Sequence, residues 1–314
     1  MSTCAYIDIL GFKNFVQENQ EGAIKVLQNY QVQLQEFSKI SATDNYLTPY
    51  RKNAFKYLIP FSDSIFFYSE HPSEFVMQLS NFIHGSFSFT SDAFSNPEDV
   101  FYPENVTEKT VVTEAGKIKM KEIPAKWYPL LFRGGIGFGD ARVMNLNCIH
   151  DGKMSVTPFV FGNSVIEAVK METVEINNTK IKGPRILCSQ LFFDQLSPRA
   201  KKIVHPAFGS SEFYEVNWTA VHYLMTDELN PWVVDQLLLN DFYIGLFHPA
   251  ANLWKAYKEN SNLEPHYRNF LKLIIKGVQN YFLDTPFLDR SNRYIETTLE
   301  KENLRKLSAY LLNP

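Results

Sequence analysis

Cysteine, clustered basic residues and long apolar runs are all scarce in this sequence. The three cysteines, Cys4, Cys148 and Cys188, are far apart, odd in number and free of CxxC or Cys/His spacing, which argues against a disulfide framework and a zinc site. A reducing compartment is the expectation. Lys and Arg occur without basic runs, and 31 of them against 34 acidic residues leave a formal net charge of −3, so no nucleic-acid surface is indicated. No stretch approaches the roughly 20 apolar residues of a membrane span, and no basic n-region precedes the first strand-like run. The chain is expected to be cytoplasmic, with neither a membrane nor a nucleic acid as partner.

What is present is ordinary globular composition. With 314 residues, 45% hydrophobic and 21% charged, the chain can bury a large core as one big domain or as one domain with an appendage.

Ala5-Tyr6-Ile7-Asp8-Ile9-Leu10-Gly11-Phe12 places a carboxylate inside an apolar strand that runs into a turn. A buried carboxylate is costly unless a cation compensates it. Gly11 permits close backbone approach and a helical pattern starts at Lys13, so strand, turn and helix start together suit a metal-bound polyphosphate. The alternative is that Asp8 simply caps the turn.

Farther along, Glu18 to Ile40 reads as a long amphipathic helix, and Phe55 to Tyr68 as two strands meeting at Ser62-Asp63-Ser64. A second carboxylate thus falls at a strand junction. A helix is expected over 74–94, then an insertion at about 95–126 with a small hairpin around Ala115-Gly116. Leu130 to Asp140 reads as a glycine-spaced strand with Ser155 to Phe161 as its hairpin companion, and Gly162-Asn163-Ser164 opens a helix ending near Asn177. A strand at Arg185 to Cys188, a short helix to Leu196 and a strand at Tyr214 to Met225 follow. Helical patterning then covers 233–240, 247–260, 265–282 and 290–312. The order implies an α+β sandwich followed by a helical tail.

Four motifs together resemble the class III nucleotide cyclases: Asp8-Ile9-Leu10-Gly11-Phe12, Phe61-Ser62-Asp63-Ser64-Ile65, Arg133-Gly134-Gly135-Ile136-Gly137-Phe138-Gly139, and Gly162-Asn163-Ser164-Val165 with Ala168 and Lys170-Met171. The resemblance implies an α+β, ferredoxin-like catalytic domain over 1–229 and a C-terminal helical extension over 230–314 packed on it. It also implies that Asp8 and Asp63, with the Ile9 carbonyl, hold two Mg2+ or Mn2+ ions per site. Gly11 and Phe12 amides would hold phosphate oxygens, and Arg133 and Lys170 would be further phosphate contacts; a surface salt bridge is the alternative for each of these two.

The departures carry information too. Where adenylate cyclases have the lysine and aspartate that read adenine, this chain has Ile59 and Phe159, and where they have a ribose-positioning asparagine it has Ile166. The rebuilt pocket is similar to that of the pyrimidine cyclases of Pycsar antiphage systems, which make cyclic UMP or cyclic CMP from UTP or CTP. That resemblance implies base recognition by Tyr57, Ile59 and Phe159, a homodimer with interfacial sites, and a separate effector that responds to the cyclic product. Strand parity sets Tyr57, Ile59 and Phe61 on one face; a core or dimer-interface role is the alternative for Tyr57. A purine cyclase with an unusual pocket and an inactive nucleotide-binding regulatory module are the other readings.

Overall fold

Alternation along the first strand sets the plan of the molecule. In β1 (Ser2–Ile9) the side chains of Ala5, Ile7 and Ile9 enter the main core, while Tyr6 and Asp8 stand half-buried on the opposite face with Cys4. The structure is a computed structural model that describes residues 1–42, 54–91, 107–114, 117–124, 129–176, 179–207, 212–225, 229–239 and 246–312.

After β1 come α1 (Phe12–Glu18), α2 (Gln20–Ala42), β2 (Tyr57–Phe61), β3 (Ser64–Ser69) and α3 (Pro72–Ser91). A separate hairpin, β4 (Thr107–Glu114) and β5 (Lys117–Pro124), precedes β6 (Phe132–Gly139). Then follow β7 (Arg142–His150), β8 (Lys153–Phe161), α4 (Asn163–Thr173), β9 (Glu175–Ile176), β10 (Thr179–Lys180), β11 (Ile186–Ser189), α5 (Gln190–Asp194), α6 (Pro198–Lys201), β12 (Val204–Pro206) and β13 (Phe213–Val216). A 3-10 segment, Trp218–Met225, leads to α7 (Pro231–Leu239), α8 (Phe247–Tyr257), α9 (Glu264–Phe282), α10 (Leu288–Lys301) and α11 (Ser308–Leu312).

Seven strands form one mixed sheet in the order β12-β13-β11-β6-β1-β3-β2. β1 lies between β3 and β6, antiparallel to both, and β11 joins β6 in parallel. Helices α2 and α3 close one face: Val26 and Tyr30 from α2, and Phe75, Leu79, Phe82 and Phe87 from α3, share a buried cluster with Ile7, Ile65 and Phe132. The same cluster continues to Leu311, and Phe87 meets Phe270 of α9 edge to face at 4.9 Å. The C-terminal helices are therefore built into the core. None of the described helices is long and apolar enough to cross a membrane.

Several expected elements are corrected. The hairpin partner of β8 is β7, not 130–140, which as β6 pairs with β1 and β11. The apolar run 214–225 is a strand only to Val216; its remainder is 3-10, wedged between α3 and α9, where burial of Trp218, Tyr223 and Leu224 overrides β-propensity. Helix α4 stops at Thr173, before the expected 177, and the helix expected over 290–312 breaks after Lys301, where Asn303 takes a left-handed φ of 59°. The small hairpin expected near 115–116 is present as β4 and β5, while the rest of the expected insertion at 95–126 lies outside the described residues.

Candidate functional site

The face of the sheet opposite α2 and α3 carries the polar constellation. Register puts Asp8 opposite Ser64 on β3 and Arg133 on β6, so three polar side chains meet across three strands. The Tyr6 hydroxyl and Ser64 Oγ are 2.9 Å apart, and Ser64 Oγ donates to Asp8 Oδ1 at 3.1 Å. Arg133 Nη2 lies 3.5 Å from Asp8 Oδ2, and Arg133 Nε lies 3.0 Å from Glu172 Oε1. The buried Tyr30 hydroxyl donates to the Ser64 carbonyl at 3.3 Å from the core side.

Asp63 arrives through the tight turn that joins β2 to β3. Ser62 there takes a left-handed φ of 57°, a conformation that costs a non-glycine residue roughly 1 kcal/mol. The Asp63 carbonyl accepts from the Ile9 N–H at 3.1 Å, and Leu10 N–H donates to the Leu131 carbonyl at 2.8 Å. The first bond ties the turn to the end of β1, and the second ties the residue after β1 to the residue before β6. The first also holds Asp63 beside the end of β1, where its charge acts on the Asp8 carboxyl.

Two carboxyls so close cannot both ionise cheaply. Burial, with the Asp8 side chain 17% exposed, and then the charge of Asp63 push the Asp8 carboxyl from its ordinary 3.8 up to about 6, against the opposing pull of Arg133 and Ser64. The Tyr6 hydroxyl is also pushed up, first by burial and then by Asp8, Glu172 and Asp63, while its bond to Ser64 opposes the shift. The site is short of positive charge.

Helix α4 is seated on this face by glycine. A Cβ at Gly135 would stand 2.2 Å from the Ala168 carbonyl oxygen, and one at Gly137 would stand 2.1 Å from that of Ser164. Any larger residue at either position would force the helix off the strand. Close seating carries Glu172 over β6, with only 9% of its side chain exposed.

The remaining predicted residues are placed as follows. Ile9 ends β1 with its side chain in the core, so only its backbone can face the site. Gly11 sits in the turn at φ +81°, and Phe12, partly buried, opens α1. Register continues the Asp8 face through Phe66 to Ile59 and through Ser64 to Phe61; Tyr57 follows on the same face opposite Tyr68, with their rings 5.9 Å apart. Phe66 also packs on the Tyr6 ring at 4.9 Å, and Phe61 is 72% exposed at the edge of this apolar platform.

Two predicted residues are not brought to Asp8 within this chain. Lys170 is exposed on the side of α4 turned from the sheet. Phe159 lies on β8 beside Phe161, on the face of the ribbon opposite Val143 and Val160, which pack toward the platform. Tyr6, Ser64, Tyr30 and Glu172 were not among the predicted site residues. Parity with Asp8 and adjacency to Asp63 are the signals that point to Tyr6 and Ser64; Tyr30 and Glu172 have no local signal.

The oxygen donors gathered here are of the chemical type that hard divalent cations take. Mg2+ is commonly bound by one or two carboxylates plus substrate phosphates, so Asp8 and Asp63 suit it, as does their excess of negative charge. Among the described residues no group of three or more His, Cys, Asp or Glu forms a self-sufficient metal cage. Compared with known proteins, the chain matches no family model and no curated protein.

Proposed function

We propose that this protein is a metal-dependent nucleotide cyclase that converts a pyrimidine triphosphate, UTP or CTP, to its 3′,5′-cyclic monophosphate and pyrophosphate. The observation that carries the proposal is the Asp8–Asp63 carboxyl pair, under-neutralised and set on the open face of the sheet. The order β6-β1-β3-β2, with α2 and α3 on one face, supports reading the core as a ferredoxin-like domain of the class III type.

In the reaction the ribose 3′-hydroxyl gives its proton to solvent water and its oxygen attacks the α-phosphorus, the new P–O bond forms, the bond from the α-phosphorus to the bridging oxygen breaks, and pyrophosphate leaves with that electron pair. Asp8 and Asp63 would hold Mg2+ or Mn2+, which supplies charge neutralisation on the attacking and leaving oxygens. Ser64 fixes the Asp8 carboxyl through Oδ1 and leaves the remaining lone pairs for the cation. Arg133 supplies a permanent positive charge beside the same carboxyl, suited to phosphate oxygens.

The exposed Phe61 at the edge of an apolar surface whose Ile59 and Phe66 are already packed with Val143 and Val160 favours a base held by stacking and shape, without the charged pair that reads adenine. A homodimer belongs to this reading. Ile149 and Met154, 81% and 75% exposed, lie on the two-stranded β7–β8 arm, and such a ribbon is marginal in water unless covered. The cyclic product would signal to a separate effector in antiphage defence.

The test is turnover of ATP, GTP, CTP and UTP, each supplied separately with Mn2+, with products resolved by chromatography and mass. A cyclic pyrimidine monophosphate is expected, and Asp8→Ala should lower its rate roughly a hundredfold or more. Nucleotide binding without turnover would replace the proposal with a regulatory nucleotide-binding module, and cyclic AMP or cyclic GMP would replace the pyrimidine assignment with a purine one.

A further inference from the structure

A nearly buried carboxylate on α4 lies outside the Asp8–Asp63 pair, yet it touches the residue that touches Asp8. Glu172 Oε1 is 3.0 Å from Arg133 Nε, and the same guanidinium reaches Asp8 with Nη2 at 3.5 Å. The Nε–H is not aligned for a hydrogen bond, so the attraction to Glu172 is chiefly that of charge for charge. Arg133 thus stands between two carboxylates. One is fixed by close seating of α4 on Gly135, where a Cβ would come within 2.8 Å of the Glu172 nitrogen; the other is the proposed metal ligand.

A guanidinium and a divalent cation repel each other, so each weakens the other's hold on Asp8. If Asp8 were the sole anion near Arg133, an arriving cation would have to displace it into a site with no compensating charge. Glu172 removes that obstacle. We propose that Glu172 is a positioning residue that retains Arg133 by Nε, so that the guanidinium neutralises Asp8 in the absence of a cation and releases it when one binds, keeping its terminal nitrogens for the anionic substrate. This rests on the reading of Asp8 and Asp63 as metal ligands.

The experiment is Mn2+ binding to the full chain at pH 8, followed by electron paramagnetic resonance in wild type, Glu172→Gln, Glu172→Asp, Arg133→Gln and the double variant Arg133→Gln/Glu172→Gln. Glu172→Gln should weaken Mn2+ binding about fivefold through tighter retention of Asp8 by Arg133, and should have no comparable effect when Arg133 is already Gln. Glu172→Asp keeps the charge but withdraws the carboxylate by one methylene; it should also weaken binding, by about twofold. It serves as the deciding variant if Glu172→Gln does not fold. Equal weakening by Glu172→Gln in both backgrounds, or wild-type affinity in Glu172→Asp, would overturn the proposal in favour of a simple effect of local charge. Absence of Mn2+ binding in the wild type would instead remove the metal-ligand reading, and this inference with it.

Discussion

The two faces of the central sheet are built from alternate residues of the same strands and have opposite physical character. On one face Ala5, Ile7 and Ile9 are buried with Ile65 and Phe132 under α2 and α3. On the other, Tyr6 and Asp8 join Ser64 and Arg133; α4 seats on the glycines of β6, and Val143, Val160 and Val165 pack with Cys4, Tyr57, Ile59 and Phe66 beside them. One face is completed by packing; the other gathers the carboxyls of Asp8, Asp63 and Glu172 around Arg133. The stability of the first is what permits the strain of the second, including the left-handed Ser62 and the displaced ionisation of Asp8.

Substitutions one residue apart should therefore have opposite consequences. Ile7→Ala removes buried volume from the packed face and should cost about 2–5 kcal/mol, read by chemical denaturation. The protein that remains folded should bind Mn2+ as before. Loss of metal binding without loss of stability would break the distinction between the faces.

Asp8→Asn sharpens the comparison with a smaller effect of opposite sign. Because the folded-state pKa, about 6, lies above the ordinary 3.8, ionised Asp8 destabilises the metal-free protein at high pH. The contribution of Asp8 is most favourable below about pH 4 and is lost as pH rises through 6. Asp8→Asn should consequently stabilise the metal-free protein at pH 8 by on the order of 2 kcal/mol, and the advantage should vanish near pH 4. Saturating Mn2+ should reverse the ranking, since only the carboxylate gains a strong ligand.

The parts of this arrangement that were legible in sequence depend on local rules. A carboxylate within an apolar alternation marked Asp8, and a polar break between two aromatic strands marked the turn at Asp63. Glycines at 135 and 137 announced close packing but not its partner, so the rotation of α4 that presents Glu172 to β6 and turns Lys170 outward could not be read. The same limit explains β7. Its pairing with β8 is a choice between two neighbouring strands, decided when β6 is claimed by β1 and β11. Trp218 to Met225 has strand-like composition throughout, and its 3-10 form follows only from its confinement between α3 and α9.

On the proposed function, the unfinished face is a divalent-cation site made by Asp8 and Asp63. Isothermal titration of the purified protein with Mn2+ at pH 8, alongside Asp8→Asn and Asp63→Asn, tests it most directly. Saturable binding in the wild type that falls at least tenfold in each variant is the expected result. Wild-type affinity in either variant, or no binding in any of the three, would contradict the account.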